Sequence, residues 1–288
     1  MDVFYIITND QKDPDLEVTK KIQTYLESHG KTCYLQEKSK EAVSQGAYKF
    51  TNAKDISPDV ECVLVLGGDG TLIQSARDIV ERNIPILGFN LGTLGFLTEI
   101  EQEQIYPSLD KLMNNEFVLE SRMMLKGKIY HEDQPTVSDI ALNDIVLNRS
   151  GALRIVNYEI YVNEEPLYTC PADGIIISTP TGSTGYNLSA GGPIVSPSSS
   201  MILLTPICPH SLNSSSIVLS AEDKICVKIG PGRRNVQEEA EVTFDGAQSV
   251  KLVTGDYVEV TQARETTDLV KINKKSFVEI IRKKMQFN

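Results

Sequence analysis

The first hundred residues alternate short apolar runs with amphipathic segments. Four runs have the length and apolar content of buried strands. They lie at 3–8, 31–35, 61–66 and 84–89. Asp13 followed by Pro14 predicts a helix start after the first run, and Leu72, Ala76 and Ile79 form one apolar stripe after the third. Strand–helix alternation of this kind indicates a parallel sheet covered by helices.

After residue 120 the pattern changes to short β-rich segments separated by Gly, Pro, Asn and Ser. They cover 122–130, 139–148, 154–163, 174–179, 201–205, 216–220, 224–229, 240–245, 249–253 and 257–262. This spacing predicts an all-β, sandwich-like domain. Apolar residues at helical spacing return at 276–285. We therefore predict an α/β domain over 1–120, a β-rich domain over 121–269, and a C-terminal helix within 270–288 that packs back on the first domain.

Composition and charge exclude several classes of protein. The 288 residues are 41% hydrophobic and 23% charged, as in folded proteins with one large or two ordinary domains. A net charge of −11 argues against binding of nucleic acid, which needs a basic surface. The exception is the tail, since 271–288 holds six basic residues and one acidic residue.

The chain shows no sign of a membrane or secretory location. No window approaches the ~20 consecutive apolar residues of a membrane span, and the N-terminus lacks the basic start of a signal peptide. Five widely spaced cysteines, an odd number without a CxxC pair, fit a reducing compartment. We expect a cytoplasmic protein that binds no membrane.

The third apolar run ends in a glycine-rich loop, Gly67-Gly68-Asp69-Gly70-Thr71. It follows a predicted strand and opens a predicted helix, where α/β sheets bind ligands. Glycines let a phosphate approach backbone N–H groups, and the helix N-terminus favours negative charge. Asp69 would repel that phosphate unless it binds Mg²⁺ or activates a hydroxyl. A simple Asp-Gly turn with Asp69 capping the helix is the alternative.

Two further polar segments follow predicted strands. Residues 90–97 come after the next strand, and we expect them to form a second wall beside the Asp69 loop because consecutive parallel strands often lie adjacent. Residues 181–193 are rich in Gly, Ser and Thr, and their hydroxyl and N–H groups suit ribose or phosphate. The alternative for 90–97 is a plain loop in which Leu91, Leu94 and Phe96 cover the core, and the alternative for 181–193 is a flexible surface loop. The histidines and cysteines show no zinc spacing.

Together these segments resemble the NAD kinases, close to the bacterial type. The matching positions are 67–71, 90–97, 143–144, 173–180, 181–193, 244–246 and Gln248. The glycine loop alone is also shared with diacylglycerol kinases, sphingosine kinases and phosphofructokinases, whereas 181–193 is far more specific. The resemblance implies an NAD kinase/diacylglycerol kinase-like fold and transfer of the ATP γ-phosphoryl group to the adenosine ribose 2′-hydroxyl of NAD.

The resemblance also implies roles for individual residues and partners. Asp69 is expected to be the catalytic base, with Gly67, Gly68 and Thr71 in the phosphate loop. The positions expected to bind NAD are Asp69, Gly70, Asn143, Asp144, Arg154, Asp173, Thr184, Gly185, Tyr186, Asn187, Leu188, Ser189 and Gln248. ATP or polyphosphate would be the phosphoryl donor, with Mg²⁺ as the divalent metal. The family assembles as homodimers or homotetramers, in which a neighbouring subunit completes part of the site.

This chain departs from the family pattern at three positions. Gln74 and Pro171 stand where relatives often carry basic residues, and Gly185 replaces a common Ala. Arg77 and Arg154 are the candidate replacements for the lost positive charge. Two alternative functions stay open from the sequence: a lipid or sugar kinase that shares the glycine loop, and a non-catalytic NAD-binding regulator.

Overall fold

The computed structural model describes residues 1–36, 50–92, 95–151, 155–211, 215–232, 236–273 and 276–285. The chain divides into two units. One comprises Met1–Arg122 together with Glu265–Asn288, and the other comprises Met123–Arg264. Within the described ranges, no helix combines the length and the apolar character that crossing a membrane requires.

The first unit is built on a parallel sheet, as the strand–helix alternation predicts. In chain order its first elements are β1 (Val3–Thr8), α1 (Glu17–Ser28), β2 (Thr32–Leu35), β3 (Cys62–Gly67), α2 (Asp69–Ile79), β4 (Ile86–Asn90) and α3 (Ile105–Met113). The strands are ordered β2-β1-β3-β4, and all neighbours are parallel. The segments that follow β1, β3 and β4 therefore leave from the same edge of the sheet.

Apolar packing fixes this sheet between its helices. Every residue of β3 is buried, which explains its continuous apolar run. Ile22 and Leu26 of α1 and Leu109 and Leu112 of α3 are buried in one cluster with Phe4 of β1. Since helices and strands share this core, the sheet edge that carries the loops is held in one position.

The second unit is β-rich, and its elements include two long strands that run into the first unit. They are β5 (Val118–His131), β6 (Gln134–Ala141), β7 (Asp144–Arg149), β8 (Val156–Val162), β9 (Glu165–Ala172), β10 (Gly174–Ser178), α4 (Tyr186–Ser189), β11 (Met201–Ile207), β12 (Ile217–Ser220), β13 (Ile225–Ile229), β14 (Glu239–Phe244), β15 (Val250–Val253) and β16 (Tyr257–Lys271). One sheet has the order β12-β11-β10-β7-β14-β15 and is antiparallel. Strands β16, β13, β8 and β9 pair in a second antiparallel layer. A single apolar core contains residues of both layers, so the predicted sandwich is confirmed.

The chain re-enters the first unit at the end of β16. There Leu269 pairs in parallel with Ile86 of β4. The final helix, α5 (Phe277–Met285), belongs to the same unit, and its Lys284 ammonium lies 4.3 Å from the centre of the Phe96 ring. The basic tail thus places at least one of its charges over an aromatic ring of the first unit.

Some element boundaries differ from the sequence pattern. Helix α1 begins at Glu17 rather than at Pro14, because Leu16 is left-handed with φ of 55°. Asp13 still serves the helix start, since its carboxylate accepts the N–H groups of Val18 and Thr19.

Other elements were missed or merged in the pattern. The stretch 139–148 is divided between β6 and β7, and β16 continues to Lys271 instead of ending at 262. The sequence pattern did not predict strand β9, because two prolines and several polar residues interrupt its alternation of apolar and polar positions. Strand β9 pairs with β8, and the register shifts at Ile160/Tyr161. Helix α3 was also missed. Residues 186–189 of the polar segment form a helical turn.

Candidate functional site

The Asp69 carboxylate is the most heavily hydrogen-bonded group of the glycine loop. Its Oδ2 accepts the N–H of Phe96 at 2.6 Å. Its Oδ1 accepts the N–H groups of Leu97 at 3.1 Å and Thr98 at 3.0 Å, together with the Thr98 hydroxyl at 2.9 Å. The segment after β4 therefore lies beside the Asp69 loop, as its position after an adjacent strand predicts. Residues 93 and 94 of this segment lie outside the described residues.

These bonds leave one carboxylate oxygen open to a ligand. A carboxylate offers about two acceptor positions on each oxygen. Three donors occupy Oδ1 of Asp69, whereas one donor occupies Oδ2. The close approach depends on Gly95, because a Cβ there would overlap the carboxylate. Among the described residues, the Asp69 carboxylate thus keeps one unoccupied acceptor position, on Oδ2.

The glycines before Asp69 shape the start of α2. Gly68 is extended and directly precedes the helix, and its N–H donates to Thr71 Oγ1 at 3.4 Å. A Cβ on Gly67 would overlap the Thr71 side chain, so the turn needs glycine there. Gly70 is exposed in the first turn of α2, where backbone N–H groups lack intrahelical acceptors. The loop therefore offers the N–H groups and the partial positive charge that a phosphate requires.

In the second unit, strand pairing brings Asn143 and Asp144 to the polar segment. Asp144 at the start of β7 lies opposite Ser178 at the end of β10. The Asn143 carbonyl accepts the Thr179 N–H at 2.8 Å and the Ser178 hydroxyl at 3.2 Å. Gly182 lies directly against that carbonyl, where a Cβ would overlap it.

Asp245 holds this pair of residues in place. Its carboxylate accepts the N–H groups of Leu142, Asn143 and Asp144 at 2.7, 2.8 and 3.0 Å. Burial of Asp144, and next the negative charge of Asp245, raises the pKa of the Asp144 carboxyl to about 7. The Asn143 Oδ1 atom is buried and accepts no hydrogen bond from the described residues. A ligand that donates an N–H or O–H group would satisfy it.

Asn187 is the internal brace of the polar segment rather than an exposed ligand group. Its side chain is fully buried. The amide Nδ2 donates to the Ser183 and Pro193 carbonyls at 3.1 and 3.0 Å, and Oδ1 accepts the Thr205 hydroxyl at 2.7 Å. A Cβ on Gly192 would overlap this side chain. Asn187 therefore shapes the segment and presents no side-chain atom on its surface.

Asp173 lies at the opposite end of the same strand pair. It directly precedes β10, and its carboxylate accepts the Arg149 Nε–H at 2.8 Å, while its carbonyl accepts the Arg149 N–H at 2.9 Å. Ser178 lies five positions after Asp173 along extended strand, which is about 17 Å. The structure thus does not bring Asp173 together with Asp144 within one chain.

The other predicted NAD positions are mostly at the surface. Tyr186, Leu188 and Ser189 are exposed on α4, and Thr184 and Gly185 just before it are half-buried. Partial burial, and then the charges of Cys208, Asp144 and Asp173, raises the pKa of the Tyr186 phenol. Gln248 is exposed on the turn that carries Asp245. Arg154 lies outside the described residues.

Three residues at these sites were missed in the sequence. Thr98, Arg149 and Asp245 each bind a predicted site residue or its backbone. Asp245 lies within a matching motif, where it had no assigned role. Arg149 directly follows the predicted strand segment 139–148. For Thr98 we see no sequence signal, because its contact with Asp69 depends on the pairing of β3 and β4.

Acidic groups do not gather into a metal site in the described part of the chain. No cluster of three His, Cys, Asp or Glu side chains there could hold a metal ion. The carboxylate of the glycine loop, Asp69, already accepts four hydrogen bonds. The described side chains therefore form no cage that would hold Mg²⁺ by protein ligands alone.

Comparisons with known proteins match the whole chain. Residues 4–117 match the family described as ATP-NAD kinase N-terminal domain, and 142–272 match the ATP-NAD kinase C-terminal domain. The NAD kinases of Lachnospira eligens and Lachnoclostridium phytofermentans are 44% and 46% identical; the alignments cover 99% of this chain and 100% and 99% of theirs. The structure is similar to yeast NADH kinase complexed with NADH, with a TM-score of 0.84 and 28% identity, covering 100% of this chain and 87% of that one. The fold also matches an Archaeoglobus fulgidus NAD kinase in complex with ATP, with a TM-score of 0.76, 24% identity and 100% of both chains covered.

Proposed function

Because the chain belongs to the ATP-NAD kinase family, we propose that it transfers the γ-phosphoryl group of ATP to the 2′-hydroxyl of the adenosine ribose of NAD, forming NADP. The observation that carries this proposal is the match of both family domains in order, over nearly the full length of curated NAD kinases. A lipid or sugar kinase would share the glycine loop but not the 142–272 match.

Asp69 is the group proposed to act on the acceptor hydroxyl. The 2′-hydroxyl donates a hydrogen bond to the free position on Oδ2, and its proton passes to this carboxylate as the new oxygen–phosphorus bond forms and the bond to the leaving ADP breaks. Phosphoryl transfer is mostly alignment and charge neutralisation. The three N–H donors from 96–98 support this proposal, because they fix the direction of the carboxylate before the substrate arrives.

The dinucleotide is proposed to bind the polar segment and the start of β7. The unpartnered Oδ1 of Asn143 suits an amino or hydroxyl donor. Asp144, with a pKa of about 7, can donate when protonated and accept when ionised, so it suits ribose or amide groups rather than phosphate. Asp173 and Gln248 are proposed as further NAD contacts, and Asn187 as the residue that shapes the segment.

Magnesium is proposed to enter as a complex with ATP, as part of the substrate. Mg²⁺ in phosphoryl-transfer enzymes is commonly held by substrate phosphates and only one or two carboxylates. This agrees with the absence of an acidic cluster in the described residues. Polyphosphate is the alternative phosphoryl donor to be tested. The five free cysteines support the proposed cytoplasmic location, where thiols stay reduced.

The proposal is tested by incubating the pure protein with ATP, Mg²⁺ and NAD. NADP formation is followed with an NADP-specific dehydrogenase, and parallel reactions replace NAD by NADH or ATP by polyphosphate. The NADH reaction is included because the yeast neighbour is an NADH kinase. We expect NADP from ATP and NAD; binding of NAD without turnover would identify a non-catalytic regulator.

Homodimers or homotetramers are proposed as the active form. Strand β12 is an edge of its sheet and exposes Val218, which is 51% accessible, and Leu188 of α4 is also exposed. An unpaired strand edge with apolar side chains is a surface that a second copy can cover. Light scattering combined with activity tests this proposal. A fully active species of 31.9 kDa would exclude it.

A further inference from the structure

The glycine loop has a positively charged neighbour that the sequence pattern did not single out. The Lys12 ammonium lies 2.8 Å from the position of a Cβ built on Gly68 and 3.1 Å from one built on Gly92. Lys12 thus faces both the loop after β3 and the loop after β4. Both glycines leave room for a ligand to approach the backbone between them.

The backbone at Lys12 is held beside the glycine loop by the fold, and the Lys12 side chain is exposed. Lys12 lies just after β1, and its N–H donates to the Asn9 carbonyl at 2.9 Å. Asn9 is fixed twice: its N–H donates to the Leu66 carbonyl of β3 at 2.9 Å, and its side-chain amide donates to Thr71 Oγ1 at 3.0 Å. The loop that carries Lys12 is therefore tied to the strand and the helix on either side of the glycines.

The charge on Lys12 is not neutralised within the described part of the chain. No carboxylate of those residues lies within the 4.0 Å that defines an ion pair with its ammonium group. Asp13, the acidic residue next to Lys12, instead points its carboxylate at Val18 and Thr19. A lysine kept beside glycines without a protein counter-ion favours a ligand with negative charge.

A second, independent donor lies beside the same loop. Asn90 is 3% exposed, and its Oδ1 accepts the Gly92 N–H at 2.8 Å. Its Nδ2 is buried and has no acceptor in the described residues. Asn90 pairs in register with Gly67, so this amide lies at the carboxyl end of the strands. An unpartnered buried donor needs an acceptor, and a phosphate oxygen provides one.

Two other positions on helix α2, Gln74 and Arg77, do not supply positive charge at the glycine loop. Gln74, where the family resemblance leads us to expect a basic residue, is uncharged and donates its amide to Asp78 at 2.8 Å. Arg77 lies in the last turn of α2, eight residues after Asp69, and so about 12 Å further along the helix axis. The Lys12 ammonium, in contrast, lies directly against Gly68 of the glycine loop.

We propose that Lys12 binds the phosphate chain of the phosphoryl donor. Its ammonium contacts non-bridging phosphate oxygens above Gly68 and Gly92, and the Asn90 amide donates to the same group. Lys12 neutralises charge that builds up on the phosphates during transfer and takes no part in covalent chemistry or proton transfer. This role rests on the proposed function, since it assigns the donor phosphates of that reaction.

The test compares Lys12→Met, Lys12→Arg and the matched control Lys21→Met. Lys21 is exposed on α1 and pairs only with Glu17 at 4.0 Å among the described residues. Losing one charge-assisted contact costs roughly 10- to 100-fold. We expect Lys12→Met to lower kcat/KM for ATP by about that factor, with the KM for NAD within twofold. Lys12→Arg should recover most of the loss, and Lys21→Met should match the wild type.

A binding measurement separates this proposal from the enzymatic function. Calorimetry with inorganic tripolyphosphate should show binding to the wild type and to Lys21→Met, and at least tenfold weaker binding to Lys12→Met, with unchanged melting temperatures. Equal tripolyphosphate affinity in wild type and Lys12→Met, or a loss seen in the KM for NAD instead of ATP, would overturn the role of Lys12. Failure of the wild type to form NADP would refute the proposed function while leaving this measurement valid.

Discussion

Replacing Asp69 with asparagine tests both the chemistry and the architecture of the glycine loop. The amide keeps the shape of the carboxylate but removes its negative charge, so a proton acceptor is lost. General-base groups contribute about 10²–10⁴-fold to rate, and we expect kcat to fall by that factor while NAD affinity changes much less. Activity within twofold of the wild type would remove Asp69 from the mechanism.

The same substitution should also weaken the fold of the first unit. If the asparagine oxygen takes the place of Oδ1, its NH₂ group faces the Phe96 N–H, which then has no acceptor. Leaving this part-buried donor unsatisfied costs about 1 kcal/mol, and the remaining bonds from Leu97 and Thr98 lose their charge assistance. Together we expect a loss of about 2–4 kcal/mol in the free energy of unfolding.

The assay combines steady-state kinetics with urea unfolding followed by circular dichroism, because the chain contains no tryptophan. Thr98→Val is the matched control, since it removes one donor to Oδ1 and keeps the charge of Asp69. It should lose about 1 kcal/mol of stability and less than tenfold in kcat. An Asp69→Asn protein as stable as the wild type would refute the hydrogen-bond geometry, even if its activity is lost.

Three further predictions concern the second unit. Folding raises the pKa of Asp144 from 3.8 to about 7, so the native state binds more protons than the unfolded state between these pH values. The free energy of unfolding should therefore fall by up to about 4 kcal/mol as the pH rises through that window. Asp144→Asn should therefore become more stable relative to the wild type as the pH rises from about 5 to about 8. If urea unfolding gives the same difference in free energy of unfolding between variant and wild type at both pH values, this prediction is wrong. Asp173→Ala and Arg149→Met should each weaken NAD binding roughly tenfold in calorimetry while the KM for ATP stays the same; the reverse pattern would count against this assignment. Gly192→Ala should displace the Asn187 side chain, cost about 1–3 kcal/mol and raise the KM for NAD, whereas a variant with normal melting and KM would show that the segment tolerates the methyl group.

Much of the fold follows from local patterns. The apolar runs of β1, β3 and β4 and the stripe of α2 predict the parallel sheet, because burial on both faces requires continuous apolar residues. Strand β9 could not be predicted in the same way. Its partner β8 supplies the pairing, and the prolines at 166 and 171 conceal its own period.

The candidate site likewise has one part that the local sequence predicts and another part that depends on long-range contacts. The glycine loop is local, since Gly67, Gly68 and Asp69 are consecutive and their turn chemistry is readable in order. The donors that hold the Asp69 carboxylate come from residues 27 to 29 positions away, and Asp245 lies about a hundred positions from the backbone it binds. Contacts at such separations depend on strand order and register, which a single sequence does not specify.

The sequence alone determined the succession of strands and helices, the glycine loop and the polar segment, because each depends on residues that are neighbours along the chain. Only the tertiary structure decided which groups meet. Parallel pairing of β1, β3 and β4 brings three loops to one edge and places Lys12 against Gly68 and Gly92. Antiparallel pairing of β7 and β10 puts Asp144 at one end and Asp173 at the other. The physical reason is that backbone hydrogen bonding fixes the register of whole strands, and the register then fixes the position of every side chain at their ends.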